Sequence, residues 1–336
     1  MFLMIVFLVC AYCNFGVADI KDKSNVCESN FKQNTPCITI NKLTPNTSQI
    51  SKKGIKKFII TRREISNIGA VDLKDVLEST PGINITQSGP KGQQSSLFTR
   101  GTNSNHTLAL LNGIPINDQS TTQGAFDFGV DFIQNIQQIE VYSGANGAHF
   151  GPNAIGGAIN IVTDVDYKNN FKVSGYNNQN NSINFNYTVI NDEDWILNLK
   201  GGSVNTKSDS AIHGGKEKDG SKNVNLNFIA EKWFDNINKF KFTAYGRNTL
   251  TEYDNTSSSE NDYSSNNLFY VTQLGLDRYN GNILDSLIFH YHKYDRENDE
   301  QGTLDEFISN SSTVKGERKI KFTDQFSYGL GFDHKY

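Results

Sequence analysis

The second half of the chain alternates apolar and polar residues. Ile183, Phe185, Tyr187 and Val189 alternate with polar neighbours, and the same period returns at 224–230, 240–244 and 326–332. A period of two predicts β-strands that have one apolar and one polar face. From residue 171 onward the pattern predicts about nine strands, each of about nine to twelve residues.

The connections between these strands alternate in length. Residues 206–222, 250–267 and 295–311 are long and polar, whereas 232–238, 280–282 and 323–324 are short. A soluble β-sandwich and a membrane β-barrel show the same period of two, so the lengths of the connections must distinguish these two folds. Long loops on one side and short turns on the other are typical of outer-membrane barrels. Residues 166–336 are therefore predicted to form the N-terminal part of a transmembrane antiparallel β-barrel.

Residues 58–165 have a mixed pattern that predicts a compact α/β domain. Leu73, Val76 and Leu77 share one face of a helix at 71–78, which Pro81 and Gly82 would end. Asn112-Gly113 is a tight-turn signal. Strands are predicted at 58–61, 83–87, 96–100, 107–111, 139–142 and 158–162.

The N-terminus is predicted to be an export signal at 1–18, an apolar block followed by small residues. A buried strand or helix is the alternative. Residues 19–57 are polar and predict a flexible leader. Cys27 and Cys37 remain after cleavage; in an exported chain they favour a disulfide, while two free or metal-bound thiols are the alternative.

Composition narrows the function classes. The net charge of −4 argues against a nucleic-acid partner. The mean hydropathy is low, at −0.51, and no apolar run of about eighteen residues beyond the N-terminus predicts a membrane helix. No Ser-His-Asp grouping, HExxH motif or spaced pair of acids is present, so an enzyme is not expected. No cofactor is predicted.

The stretch from 57 to 163 resembles the plug of TonB-dependent outer-membrane receptors, and within them the cobalamin receptors. PGINITQ at 81–87, SSLFTRGTN at 95–103, LLNG at 110–113, IEV at 139–141 and FGPNAIGGAIN at 150–160 carry the resemblance, with His106. It implies a plug ahead of a barrel in the outer membrane of a Gram-negative bacterium, embedded in lipid. It also implies import of cobalamin or a similar organometallic ligand, energised by TonB with ExbB/ExbD.

The resemblance implies three sets of site residues. Ile38, Thr39 and Ile40 stand where the box that binds TonB would lie. The plug loops at 88–92 and 117–126 would face outward and contact the ligand. Arg100 and Glu140 would be buried and would lock the plug, either as an ion pair or each with groups of the barrel wall; an ordinary structural ion pair is the alternative. The ligand-binding residues in or beside these loops are predicted to be Ser88, Gly89, Gln93, Asn117, Thr122 and Gln123.

The chain departs from the family pattern at two places. Ser143, Gly144 and Ala145 stand where receptors of this family commonly have a basic Arg-Gly-Pro segment. The loop at 206–222 matches a calcium-binding loop of cobalamin receptors but offers only Asp209, Glu217 and Asp219. Because Ca²⁺ prefers six to eight oxygen ligands, Asp209 and Asp219 are weak calcium candidates and no metal site is predicted.

Two other functions remain open at this point. A ferric-siderophore receptor is an alternative within the same class. A non-transporting, truncated barrel protein is an alternative of a different class, because bacterial single-chain barrels have even strand numbers. The odd count and small size predict that the chain lacks part of a barrel of about 22 strands.

Overall fold

The structure, a computed structural model, describes most of the chain after residue 55. The leader with Ile38, Thr39 and Ile40, the two leader cysteines and the predicted signal lie outside the described residues. The described ranges are 56–70, 72–89, 91–130, 136–144, 150–151, 153–176, 180–190, 195–209, 218–254, 263–323 and 327–336.

Two short helices follow the first strand, β1 (Lys56–Thr61). Thr61 caps α1 (Arg62–Ile68) in a reciprocal capping box with Glu64, and Gly69 ends it in the left-handed region at φ 71°. Asp72 caps α2 (Leu73–Glu78). The predicted helix is thus confirmed from Leu73 onward with its apolar face buried, whereas α1 was not predicted.

Seven short strands complete the α/β domain, which we define as residues 56–162. β1 begins a mixed five-stranded sheet in the order β1-β6-β7-β4-β5, in which only β4 and β7 are parallel. β2 and β3 form a separate antiparallel hairpin. The bounds are β2 (Ile83–Gln87), β3 (Ser95–Thr99), β4 (Thr107–Leu111), β5 (Ile114–Pro115), β6 (Gln138–Ser143) and β7 (Gly157–Val162).

The core of this domain is apolar, as in a soluble protein. Every residue of β7 is buried. Leu97 from the hairpin, Leu77 from α2 and Ile139 and Ile159 from the sheet belong to one fully buried cluster. In the part of the chain that the structure describes, no helix is long and apolar enough to cross a membrane.

Nine consecutive antiparallel strands form the second sheet, each paired with its sequence neighbours. The predicted strand number is confirmed. The bounds are β8 (Asn170–Tyr176), β9 (Asn180–Ile190), β10 (Trp195–Lys207), β11 (Gly220–Trp233), β12 (Asn238–Tyr253), β13 (Tyr263–Asn280), β14 (Ile283–Glu300), β15 (Thr303–Lys321) and β16 (Ser327–Lys335).

The six strands from β10 to β15 are longer than the predicted nine to twelve residues, and one predicted loop is wrong. β13 and β14 have 18 residues and β15 has 19. The polar segment at 295–311 is a continuation of β14 and β15, joined by a turn at Gln301 and Gly302 with φ values of 56° and 84°. These two strands therefore extend well beyond the length that crosses a bilayer, about 9–11 residues.

Candidate ligand and gating site

The nine-stranded sheet has two faces of opposite polarity. On β11, Asn223, Asn225 and Asn227 are buried, while Val224 and Leu226 between them are 48% and 42% exposed. We call the asparagine side the inner face, because Asn223 Nδ2 donates to the Val130 carbonyl of the α/β domain at 3.2 Å. A soluble sheet buries its apolar face. This sheet buries its polar face instead.

The outer face carries a continuous apolar band. Leu274 lies in register with Phe242 and Phe289, and Phe289 with Val314. On β13 the exposed apolar residues of this face run from Leu268 to Leu276, about 26 Å at roughly 3.3 Å per residue. That length is close to the apolar band of outer-membrane barrels, about 25 Å.

Three polar contacts join the loops of the α/β domain to β12 of the inner face. Thr249 Oγ1 donates to the Val130 carbonyl at 2.9 Å, and Thr251 Oγ1 donates to the Gly92 carbonyl at 3.0 Å. Gln93 Nε2 donates to the Glu252 carbonyl at 3.1 Å. The loop at 91–93 is therefore held against this strand.

A second set of contacts is made by the long β14–β15 hairpin. The Tyr294 hydroxyl donates to the Ile116 carbonyl at 2.7 Å, and Ser309 Oγ donates to Asp118 Oδ1 at 2.7 Å. Phe269 stacks on Tyr294 at 4.3 Å between ring centroids and joins the core cluster of the α/β domain. The loop after β5 is thus held by β14 and β15, while the loop at 91–93 is held by β12.

A charged cluster fixes the connection between the domain and β8. Lys241 Nζ lies 3.0 Å from Asp164 Oδ1 and 3.1 Å from Glu231 Oε1. Lys200 donates to the Asp164 carbonyl, and Lys239 pairs with Glu231 at 2.8 Å. Because these side chains are largely buried, each charge needs the others. The exit of the α/β domain is therefore bound to the inner face by ion pairs.

The structure gives Glu140 a partner other than Arg100. The buried Glu140 carboxylate accepts hydrogen bonds from Lys57 Nζ at 2.9 Å, Tyr142 Oη at 2.8 Å, Asn160 Nδ2 at 2.9 Å and Gln138 Nε2 at 2.8 Å. Arg100 is exposed in a turn at φ 50°. The predicted Arg100–Glu140 pair is corrected: the ion pair joins β1 to β6 through Lys57.

Lys91 fastens the predicted ligand loop to α2. Its ammonium lies 2.6 Å from Asp75 Oδ2 and 3.2 Å from Asp72 Oδ2. Burial raises the pKa of the Asp72 carboxyl, and the Lys91 charge opposes that rise. Burial disfavours the Lys91 ammonium, but the two carboxylates outweigh this effect and raise its pKa. The loop is therefore held by a triad of charges, which the spacing of these residues along the chain does not reveal.

The predicted loop residues divide into exposed and structural positions. Ser88 and Gln123 are exposed, and Gly89 is half-buried. Asn117 is buried; its Oδ1 accepts from Ala109 N at 2.8 Å and its Nδ2 donates to the Gly124 carbonyl at 2.9 Å. Gln93 is also buried and contacts the wall. Thr122 lies in a 3₁₀ turn at 122–124.

The calcium candidates do not form a cluster among the described residues. Asp209 is exposed, and Asp219 is buried with its carbonyl accepting from Ser208 N at 2.8 Å. Glu217 lies outside the described residues. No group of three or more His, Cys, Asp or Glu side chains that could hold a metal occurs in the described part of the chain.

The small α/β domain, which is bound to the polar inner face of a long antiparallel sheet, is similar in sequence to a known domain family. Residues 49–158 match the TonB-dependent Receptor Plug Domain. The α/β domain is a plug domain. The nine-stranded sheet that holds it corresponds to the barrel of TonB-dependent receptors.

Solved receptor structures share this fold at low sequence identity. The ferric yersiniabactin uptake receptor of Yersinia pestis matches with a TM-score of 0.68 at 16% identity, covering 85% of this chain and 49% of its own. A variant of the ferric enterobactin receptor of Pseudomonas aeruginosa matches with a TM-score of 0.69 at 17% identity, covering 84% of this chain and 49% of its own. The ferripyoverdine receptor of the P. aeruginosa outer membrane matches with a TM-score of 0.67 at 12% identity, covering 90% of this chain and 46% of its own. The chain spans about half the length of these structures.

Proposed function

We propose that the protein is a TonB-dependent outer-membrane receptor that imports a ferric siderophore. The observation that carries this proposal is a plug domain hydrogen-bonded to the polar inner face of a sheet whose outer face is apolar. An apolar outer face suits lipid, and a closed path filled by a removable plug suits gated import. Since no ATP source is present at an outer membrane, a partner protein would supply the energy.

Coupling would run from the leader into the plug. Residues 38–40 would add a strand to TonB, with main-chain hydrogen bonds providing affinity, and ExbB/ExbD would energise TonB. The leader continues directly into β1, and Lys57 on β1 pairs with the buried Glu140 on β6. Force on the leader would therefore reach the central sheet of the plug through this pair.

Ligand would bind above the plug, where Ser88 and Gln123 are exposed. The three solved receptors described above are named for ferric siderophores, namely yersiniabactin, enterobactin and pyoverdine complexes, which favours a ferric siderophore as cargo. Cobalamin is the second candidate, favoured by the resemblance of 81–87 and 95–103 to cobalamin receptors. Both cargoes are scarce metal complexes, so the same gating would serve either.

Competitive binding and uptake separate the two cargoes. Cells that express the full-length protein in a receptor-deficient background are given ferric enterobactin, ferric yersiniabactin or ferripyoverdine with radioactive iron, or radiolabelled cobalamin. We expect saturable, TonB-dependent uptake of a ferric siderophore that excess cobalamin does not inhibit. Uptake of cobalamin alone would transfer the proposal to the second cargo. Uptake of neither would contradict the proposal.

A deletion tests the coupling. Removal of residues 37–43 should abolish uptake and leave surface binding at its wild-type affinity, since the predicted box lies far from the exposed plug loops in sequence. The control removes 44–50, seven residues of the same polar leader. Loss of uptake and binding together in the first variant would contradict coupling through residues 38–40.

A further inference from the structure

A buried polar patch lies on the inner face of β13, β14 and β15. Gln273, His290 and Thr313 form one row in register across the three strands, and Ser311 lies two residues from Thr313 on the same face. Their exposed fractions are 6%, 3%, 5% and 2%. We call these four residues the inner-wall patch.

Each member of the inner-wall patch has a buried polar atom without a hydrogen-bond partner among the described residues. These atoms are Gln273 Nε2, His290 Nδ1, Ser311 Oγ and Thr313 Oγ1. An amide, an imidazole and two hydroxyls can all donate a hydrogen bond. A buried polar group without a hydrogen-bond partner destabilises the fold. Four such atoms side by side indicate that this surface has a partner that the described residues do not provide.

The inner-wall patch adjoins the contact between plug and wall. His290 Nε2 lies 3.1 Å from His292 Nδ1, and the His292 ring lies 6.0 Å from Tyr294, whose hydroxyl binds the Ile116 carbonyl of the plug. Movement of the plug would break the Tyr294 contact and open space beside the patch. Cargo that moves along the wall from the plug apex would reach these side chains next.

The charge that continues the row of the inner-wall patch is a cation and favours an anionic partner there, whereas Asp118, which binds Ser309, lies near His292 at the side of the plug. Lys335 lies in register with Thr313, so it continues the row on the same face. Lys315 follows two residues after Thr313, and Asp333 lies in register with it. The row that joins Gln273, His290, Thr313 and Lys335 contains no carboxylate. Two histidines without a third ligand make a metal ion the weaker partner, in agreement with the lack of a metal-binding cluster in the described chain.

We propose that the inner-wall patch is a second, internal binding site for an anionic oxygen group of the cargo, such as a carboxylate or phenolate. The site would be occupied after the plug has moved, between capture at the outer surface and release on the opposite side. This inference rests on the proposed function and specifies the chemistry of the path.

The test removes two of the unpartnered donors by Gln273→Leu with Thr313→Val. The control is Thr272→Val, which makes the same change on the outer face of the same strand. Full-length proteins are compared for uptake of ferric enterobactin, ferric yersiniabactin and ferripyoverdine, for surface affinity and for melting temperature. We expect the double variant to keep its affinity, to melt at the wild-type temperature or above it because two unsatisfied groups are removed, and to import the wild type's cargo at least about tenfold more slowly, since hydrogen bonds to charged groups are strong.

The outcomes separate this inference from the proposed function. Unchanged import by the double variant overturns the internal site and leaves the proposed function standing. A lower melting temperature with slower import also overturns it, because the groups would then be structural; Ser311→Ala, a smaller change, checks this point. Absence of import by the wild-type protein overturns the proposed function itself.

Discussion

The plug domain and the nine-stranded sheet bury opposite kinds of residue. β7 of the plug is buried along its whole length and apolar apart from Asn160, whereas β11 of the sheet buries asparagines and exposes Val224 and Leu226. Both are β-strands, so the backbone does not explain the difference. The surroundings of each strand explain the difference: the plug sheet packs against the helices of the plug, while the outer face of the long sheet suits lipid. Four substitutions test this comparison.

The largest effect is expected in the plug core. Leu77→Lys places a charge in a fully buried position on α2 and should cost more than about 4 kcal/mol, enough to unfold the plug. Hydrogen exchange would show loss of protection in 56–162 and retained protection in 195–323. Glu78→Lys, one residue further on and exposed, is the control. Unchanged plug protection in Leu77→Lys would contradict the assignment of an apolar core.

A charge on the outer face should have a smaller, depth-dependent effect. Phe289→Lys lies in the centre of the apolar band and should cost about 2–4 kcal/mol for folding into a bilayer. Asn266→Lys, exposed on the polar extension of β13, should cost about 0–1 kcal/mol. Urea unfolding from lipid vesicles measures both. Equal costs at the two positions would mean that this face does not contact lipid.

Loss of the Lys57–Glu140 pair should have a moderate effect. Lys57→Met leaves the buried carboxylate with three of its four donors, which should destabilise the plug by about 1–3 kcal/mol. Lys74→Met removes a solvent-exposed pair with Glu78 and should cost less than about 1 kcal/mol. Hydrogen exchange of β1 and β6 is the measurement. If the two variants behave alike, the Glu140 network does not hold β1 in place.

The smallest effect is expected at the contact between the two regions. Thr249→Val removes the hydroxyl that donates to the Val130 carbonyl and accepts from Asn223 Nδ2 at 2.7 Å, at a cost of about 1 kcal/mol. Exchange near Gly129 and Val130 should accelerate about fivefold, while β4 and β7 stay protected. Thr272→Val on the outer face should change neither the exchange near Gly129 and Val130 nor the protection of β4 and β7. Faster exchange throughout the plug would mean that the wall contact supports the whole domain.

The sequence predicted most strands because their periodicity is local. It missed α1, although Thr61 and Glu64 form a readable capping box. It misread 295–311 as a loop because Leu304, Phe307 and Ile308 are the only apolar residues of that segment, too few to mark an apolar alternation. The ends of these strands lie beyond the apolar band, where neither face needs to be apolar.

The contacts of the candidate site could not be predicted from the sequence. Glu140 pairs with Lys57, 83 residues away, because β1 lies antiparallel beside β6. That register depends on the fold of the whole plug. The contacts of Gln93 with Glu252 and of Ser309 with Asp118 depend further on how the plug lies against the wall. The residue types alone indicated which segments are loops and which side chains are charged, but they did not indicate which residues contact each other.

Lys241 has a mechanical consequence for a transport cycle. Its ion pairs with Asp164 and Glu231 anchor the end of the plug that leads into β8, whereas a pull from the leader would act on β1 at the other end. A load applied at β1 would stretch the plug against a fixed anchor and would not eject it whole. When the load is released, the displaced strands would pair again with the end of the plug that stayed bound to the wall.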